Sequence, residues 1–188
     1  GPAPQREHDT SGPPVVLSVG RINAGKRVDL LIRACAALPS ELAPRLRIVG
    51  DGPAKAELEA LARDVYPSTE FIGGVFGDAL TPIFRSADLF VMPGLGGLAV
   101  QQAMSHALPI VVGEGDGTQL DLVSEGNGWH VAPGDLDDLV RTMTDALSDR
   151  ARLTAMGVES YRVIAEDINI NRMVERITTA MNTIAGGR

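Results

Sequence analysis

A doubly wound α/β domain, one Rossmann-like parallel sheet with helices on both faces, is the fold this sequence predicts, and three observations predict it. Apolar runs of four to six residues alternate with longer helical patterns, the rhythm of repeated strand-helix-strand units. The runs are apolar almost throughout rather than alternating with polar residues, as a sheet covered on both faces requires. Glycine-bearing loops at residues 20–26, 50–53 and 93–97 follow predicted strands, at the carboxyl ends where open α/β sheets take their ligands.

Residues 15–19 read as the first strand. A helix from about Arg27 follows, burying Val28, Leu31, Ile32, Cys35 and Leu38 before Pro39 and Ser40 interrupt it. Residues 46–49 form the next strand, and Pro53 at a first turn opens a helix with Leu58, Leu61 and Ala62 inward. A short strand at 70–72 and a short helix at 79–86 lead to the strand 89–92, the helix 98–107 and the strand 110–112. The remainder reads as a brief strand at 128–131, helices at 136–147 and 150–165, and an amphipathic helix at 170–184 carried by Met173, Ile177, Ala180, Met181 and Ile184.

With 188 residues, 44% of them hydrophobic, the chain can bury one sizeable core. A net charge of −7, spread along the chain, argues against a nucleic-acid surface. The single cysteine, Cys35, falls on an apolar helical stretch and reads as a small buried hydrophobe. No apolar run reaches membrane-spanning length and no signal-peptide pattern opens the chain, so a cytoplasmic setting is the expectation. Residues 1–13 are polar and proline-rich, and their initial Gly-Pro reads as a protease scar, making them a disordered tag or linker remnant. Residues 14–165 then form the domain, and 166–188 a C-terminal helical segment.

The run after the strand 89–92 outlines an anion site. Gly94, Gly96 and Gly97 let backbone approach a ligand, and the helix beginning near Leu98 presents unpaired N–H groups with a partial positive charge. Arg21 and Lys26 leave the first strand five positions apart across a glycine-containing turn. They can converge on one diphosphate, the guanidinium as a planar fork and the ammonium as a mobile charge, or stand as two solvated loop cations. Gly50-Asp51-Gly52-Pro53 taken alone can be no more than a tight strand-to-helix turn. No dinucleotide or Walker-type glycine fingerprint and no nucleophile elbow occurs. His106 reads as a capping or packing residue, His130 has no visible partner for a metal role, and His8 belongs to the tail. Asp116, Asp121 and Glu125 form an acidic loop, either solvated or able to hold a cation or sugar hydroxyls.

Taken in order, these pieces resemble the C-terminal, donor-binding domain of the group 1 retaining glycosyltransferases, family 4, whose members have the two-domain GT-B fold. The resemblance runs from about Val15 to Leu147. Its pieces are Val19-Gly-Arg with Lys26 and Asp29-Leu-Leu-Ile behind it, Ile48-Val-Gly-Asp-Gly-Pro53, Phe71-Ile-Gly73, Ala87-Asp-Leu-Phe-Val-Met-Pro93, Gly97-Leu98 with Ala103-Met104 and Pro109-Ile-Val-Val112, and Asn127-Gly followed by Pro-Gly-Asp135.

The resemblance implies that Arg21 and Lys26 grip the donor diphosphate and stabilise it as it departs, with no metal required. It also implies a donor site of Gly20, Gly50, the backbone of Gly73, Gly74 and Val75 at the nucleobase, and the turn of Gly94, Leu95, Gly96, Gly97 and Leu98 at phosphate and sugar. Two glutamates eight positions apart are usual in the family, the first on the sugar and the second on the ribose; Gly94 and Gln102 stand at those positions here. Gln102 can still hydrogen-bond a ribose without charge. A branch of the family with Pro-Gly at this turn is similar to Met92-Pro93-Gly94, and Asp121 matches an acidic residue of the next loop on a shorter side chain. Acceptor site and catalytic histidine belong, by the same resemblance, to an absent N-terminal domain. This chain would then bind a UDP- or GDP-sugar without turnover, the segment 166–188 returning toward that domain and any peripheral membrane contact arising through it. A noncatalytic nucleotide-sugar or partner-binding module is the alternative, and an unrelated phosphate-binding receiver or flavodoxin-like domain a third reading.

Overall fold

The computed structural model describes residues 2–4, 12–113 and 121–167. Six parallel strands form one sheet: β1 (Val15–Val19), β2 (Arg45–Val49), β3 (Thr69–Gly73), β4 (Leu89–Met92), β5 (Ile110–Val112) and β6 (Gly128–His130). Their spatial order is β3-β2-β1-β4-β5-β6. β1 pairs with β2 from Val15 against Arg45 to Val19 against Val49, and with β4 through Val16 against Leu89 and Leu17 against Phe90. The chain winds outward in one direction from β1 and then in the other from β4. A crevice therefore opens between the loops that leave these two strands.

Side-chain alternation explains why the inner strands read as unbroken apolar runs. Val16, Leu89, Val91 and Val111 face one side of the sheet, while Val15, Leu17, Val19, Phe90, Met92, Ile110 and Val112 face the other, and helices cover both. On the first side lie α1 (Val28–Ala37), α2 (Lys55–Val65) and α5 (Leu136–Leu147). α3 (Thr81–Arg85), α4 (Leu98–Ser105) and α6 (Arg150–Asp167) take the second. Val28, Leu31, Ile32 and Cys35 repeat at helical spacing and are all buried, as the sequence predicts. Burial pushes the Cys35 thiol well above its ordinary pKa, which keeps it protonated and inert.

Beyond shifts of one or two residues at element ends, as where the helix predicted over 98–107 stops at Ser105, predicted and observed elements differ in two places. The predicted helix at 79–86 is a 3-10 turn, Gly77–Leu80, followed by the short α3, because Pro82 lacks an N–H and fits only the first positions of a helix. Pro53 precedes α2 by two residues instead of sitting in its first turn; the Ala54 N–H is drawn back to the Ile22 carbonyl at 3.2 Å. The predicted helix at 170–184 lies outside the described residues, as do Asp116 and most of the tail.

The approach to β6 is organised by one buried side chain. Asn127 is fully buried; its Oδ1 accepts from the Ser124 N–H at 2.7 Å, and its Nδ2 donates to the Leu122 carbonyl at 2.9 Å. Replacing Asn127 by Ala strands both backbone groups away from water. Asn127→Ala is expected to cost about 2–3 kcal/mol, read as a lower urea midpoint at unchanged slope. A midpoint equal to that of the wild type would refute this account of the loop.

Candidate functional site

The loops leaving β1, β2, β3 and β4 meet around one cleft of about 830 Å³. Its floor is Val19 and Gly20 from β1 with Val49, Gly50, Asp51, Gly52 and Pro53 from β2. Val75, Phe76 and Leu80 after β3 form one wall, and Leu98, Ala99 and Gln102 of α4 form the other. Two backbones must come very close to make that floor. A Cβ on Gly50 would lie 2.9 Å from the Gly20 carbonyl carbon, and one on Gly52 would lie 2.8 Å from that of Ile22. The Gly-Asp-Gly-Pro motif is thus more than a turn: its glycines let the β1 and β2 loops nest, with Gly20 N–H on the Val49 carbonyl and Ile22 N–H on the Asp51 carbonyl, both at 2.9 Å.

Both predicted cations stand at this end of the sheet. Arg21 is exposed and lines the cleft. The Lys26 stem passes over Gly20 and close to Met92, with Cε 3.7 Å from where a Gly20 Cβ would be. It thereby crosses from β1 to β4 at the switch point of the sheet. Its Nζ donates to the Leu95 carbonyl at 2.5 Å and to the Gly96 carbonyl. The ammonium is therefore held at the mouth of the 94–98 turn. Arg21 and Lys26 also share a small recess with Gly20, Val49 and Met92 that adjoins the main cleft.

α4 begins immediately beyond. Gly97 precedes it at φ 117°, a conformation that favours glycine, and no side chain caps the helix. Its first N–H groups, those of Leu98 and Ala99, therefore have no partner within the helix. Gln102 is half-buried one turn further on and lines the cleft. Gly73, half-buried, and Gly74, exposed, sit at the β3 end. Asp121 is exposed beyond β5.

Gly94 serves a purpose that the sequence does not suggest. It is buried, and a Cβ there would lie 2.7 Å from the Lys26 carbonyl carbon and 2.9 Å from its Cα, closer still to the Gly25 carbonyl oxygen. The bare Cα is needed by the β1 loop, which packs directly on it, while the Leu95 N–H donates to the Gly25 carbonyl at 2.9 Å. Its bareness faces protein, where the sequence reading has it face a ligand.

Against known families, the model for group 1 glycosyl transferases matches residues 13–149, the whole of the sheet and its loops. The chain belongs to this family. The sulfoquinovosyl transferase SQD2 of Arabidopsis thaliana is 36% identical over 151 residues, covering 77% of this chain and 28% of that protein. A GDP-mannose-dependent phosphatidylinositol monomannoside mannosyltransferase of Mycolicibacterium smegmatis is 31% identical over 158 residues, covering 77% of this chain and 41% of its own length. The chain thus spans less than half of these curated relatives. In fold it is similar to Anabaena HepE solved with UDP-glucose, at a TM-score of 0.76 and 19% identity over 92% of this chain and 50% of that one. GT-B glycosyltransferases are its structural neighbours.

For this group 1 glycosyltransferase domain, motif reasoning locates the glycine loops and both cations but passes over much of the cleft's wall. Phe76, Leu80 and Ala99 all line it. Phe76 is the one with a signal in the sequence: an aromatic residue alone among Gly74, Gly77 and Asp78, where a loop offers no core to bury it. His106 proves to be a packing residue, stacked on Phe84 with ring centroids 4.9 Å apart and its Nδ1 2.8 Å from the Gln102 carbonyl. His130 Nε2 lies 2.7 Å from the Val123 carbonyl. Among the described residues no helix is long and apolar enough to cross a membrane, and no group of three or more His, Cys, Asp or Glu side chains gathers as a metal site would need.

Proposed function

We propose that this domain binds the nucleotide-diphospho-sugar donor of a retaining family 4 glycosyltransferase and stabilises the nucleoside diphosphate as it leaves. The observation that carries this reading is the Lys26 ammonium on the Leu95 and Gly96 carbonyls, at the start of α4 and beside a cleft of nucleotide size. When the bond from the sugar's anomeric carbon to the diphosphate breaks, negative charge grows on the departing phosphate oxygen. Lys26, Arg21 and the N–H groups of Gly96, Gly97 and Leu98 are the donors suited to meet it. Gly73, Gly74 and Val75 then border the nucleobase, the Gly20 backbone lies beneath the phosphates, and Gln102 takes the ribose hydroxyls, while Gly50, whose missing side chain faces the Gly20 carbonyl, contributes by letting the β1 and β2 loops nest. Gly94 does the same for the β1 and β4 loops.

The acceptor and the rest of the catalytic machinery belong to an N-terminal domain, so that this chain alone binds donor without transferring a hexosyl group. A UDP- or GDP-sugar donor is in keeping with a relative named as GDP-mannose-dependent and a fold neighbour solved with UDP-glucose, and we place the enzyme in the cytoplasm. Calorimetry of the 188-residue chain with UDP, GDP, ADP and the corresponding nucleotide sugars tests the assignment. Saturable binding of one base family is expected; failure of every nucleotide to bind overturns it. Retention is checked separately, by the anomeric NMR signal of the product formed by the two-domain enzyme.

A further inference from the structure

The largest exposed apolar side chain of the described residues is Phe76, at 84%, followed by Leu98 at 81%, and both stand on walls of the same cleft. An aromatic ring left in water gives up a large burial term unless something covers it, so such a ring at the lip of a ligand cleft needs a reason. The surroundings of Phe76 supply one. Its ring lies over Gly74, with Cε2 3.4 Å and Cζ 3.7 Å from the position a Cβ there would occupy, and the Asp51 Cβ is 4.0 Å from that same point. Gly74, lacking a side chain, leaves room for the edge of the ring beside it, while the rest of the ring stays open to the cleft and to solvent. The flanking Val75 and Leu80 give that wall an apolar lining next to the ring.

We propose that Phe76 is a base-stacking residue: its ring supplies the flat apolar surface on which the donor's nucleobase lies. This rests on the donor-binding reading above and extends it to a residue outside the motifs that prompted that reading. Stacking needs only a π-face, so the ring adds affinity for a purine or a pyrimidine and leaves the choice between them to hydrogen bonds elsewhere. The cations at the other end of the cleft do the opposite, holding phosphate whatever base it carries. The ligand is thus gripped at two ends by two kinds of force.

The test is calorimetry on Phe76→Ala and Phe76→Trp, with UDP, GDP and inorganic pyrophosphate as titrants. In Phe76→Ala, nucleotide affinity should fall by roughly tenfold or more, the order that an aromatic-base stack contributes. Phe76→Trp should keep it, and pyrophosphate should bind all three proteins alike. Because the ring is exposed, the melting temperature should not move, so a folding defect is separable from the loss. Unchanged nucleotide affinity in Phe76→Ala, the result expected if this face docks another domain, overturns the proposal. So does an equal loss for pyrophosphate. Should the unsubstituted chain bind pyrophosphate but no nucleotide, the donor-binding reading fails along with this one; should it bind nucleotides that the Ala variant binds equally well, only the stacking role fails.

Discussion

Lys26→Ala should weaken UDP or GDP binding by roughly ten- to a hundredfold, the loss of about 1.5–3 kcal/mol that follows removal of a hydrogen bond to a charged group. The size of the effect comes from where the ammonium already is. It does not have to travel from solvent: the Leu95 and Gly96 carbonyls hold it at the turn, with its stem lying over Gly20. Positioning a flexible lysine costs rotamer entropy, and here that cost is met within the folded protein before any ligand arrives. Arg21, exposed and with no hydrogen bond of its guanidinium among the described residues, must be ordered by the ligand, so Arg21→Ala should cost less. Two controls isolate charge from loop damage. The free nucleoside should bind wild type and Lys26→Ala equally, and the affinity of the wild type for the diphosphate should fall with added salt more steeply than that of the variant. Equal diphosphate affinity in the two proteins would remove Lys26 from the site.

How much of this was legible beforehand follows from the range of the forces involved. Strands β1, β4 and β5 and helix α5 are written in local periodicity, and their predicted bounds coincide with the observed ones. The glycine loops and the two cations are written in short motifs at strand ends, and the sheet order carries them to one crevice. Contacts between segments far apart in the chain are not written that way. The Lys26 ammonium reaches carbonyls some seventy positions on. Nothing local to Gly94 says that Gly25 and Lys26 press on it, so its missing side chain reads equally well as space for a ligand. Phe76 escapes motif reasoning for the converse reason: such reasoning looks for charge and glycine at a phosphate site, and a lone loop aromatic matches neither. α3 shows a third kind of limit, because Pro82 splits one apolar stretch into a 3-10 turn and a five-residue helix that periodicity alone merges.

Gly94→Ala should be among the most damaging single-methyl additions at the site, lowering the melting temperature by roughly 5–10 °C. Its Cβ would sit 2.7 Å from the Lys26 carbonyl carbon, inside contact distance of backbone that has no rotamer to turn away. Either β4 and its turn move or the β1 loop does, at an overpacking cost of about 2–3 kcal/mol, and a domain of this size loses roughly 2–4 °C per kcal/mol. The Leu95 N–H to Gly25 carbonyl bond, 2.9 Å long, spans the same gap and would stretch with it. Since that movement carries the Lys26 backbone away from the Leu95 and Gly96 carbonyls, affinity for the nucleoside diphosphate should drop together with stability. The same geometry explains why the glutamate usual at this position in the family cannot be restored by one substitution: Gly94→Glu must first place a Cβ where the β1 loop already lies. Gln102→Glu has no such obstacle, because that side chain lines the cleft, and it should leave the melting temperature unchanged. Thermal melts of the three variants, followed by UDP and GDP titrations, decide the matter. A Gly94→Ala protein that melts with the wild type would mean that the two loops are not in contact, and the geometry assigned to the phosphate end of the cleft would be wrong.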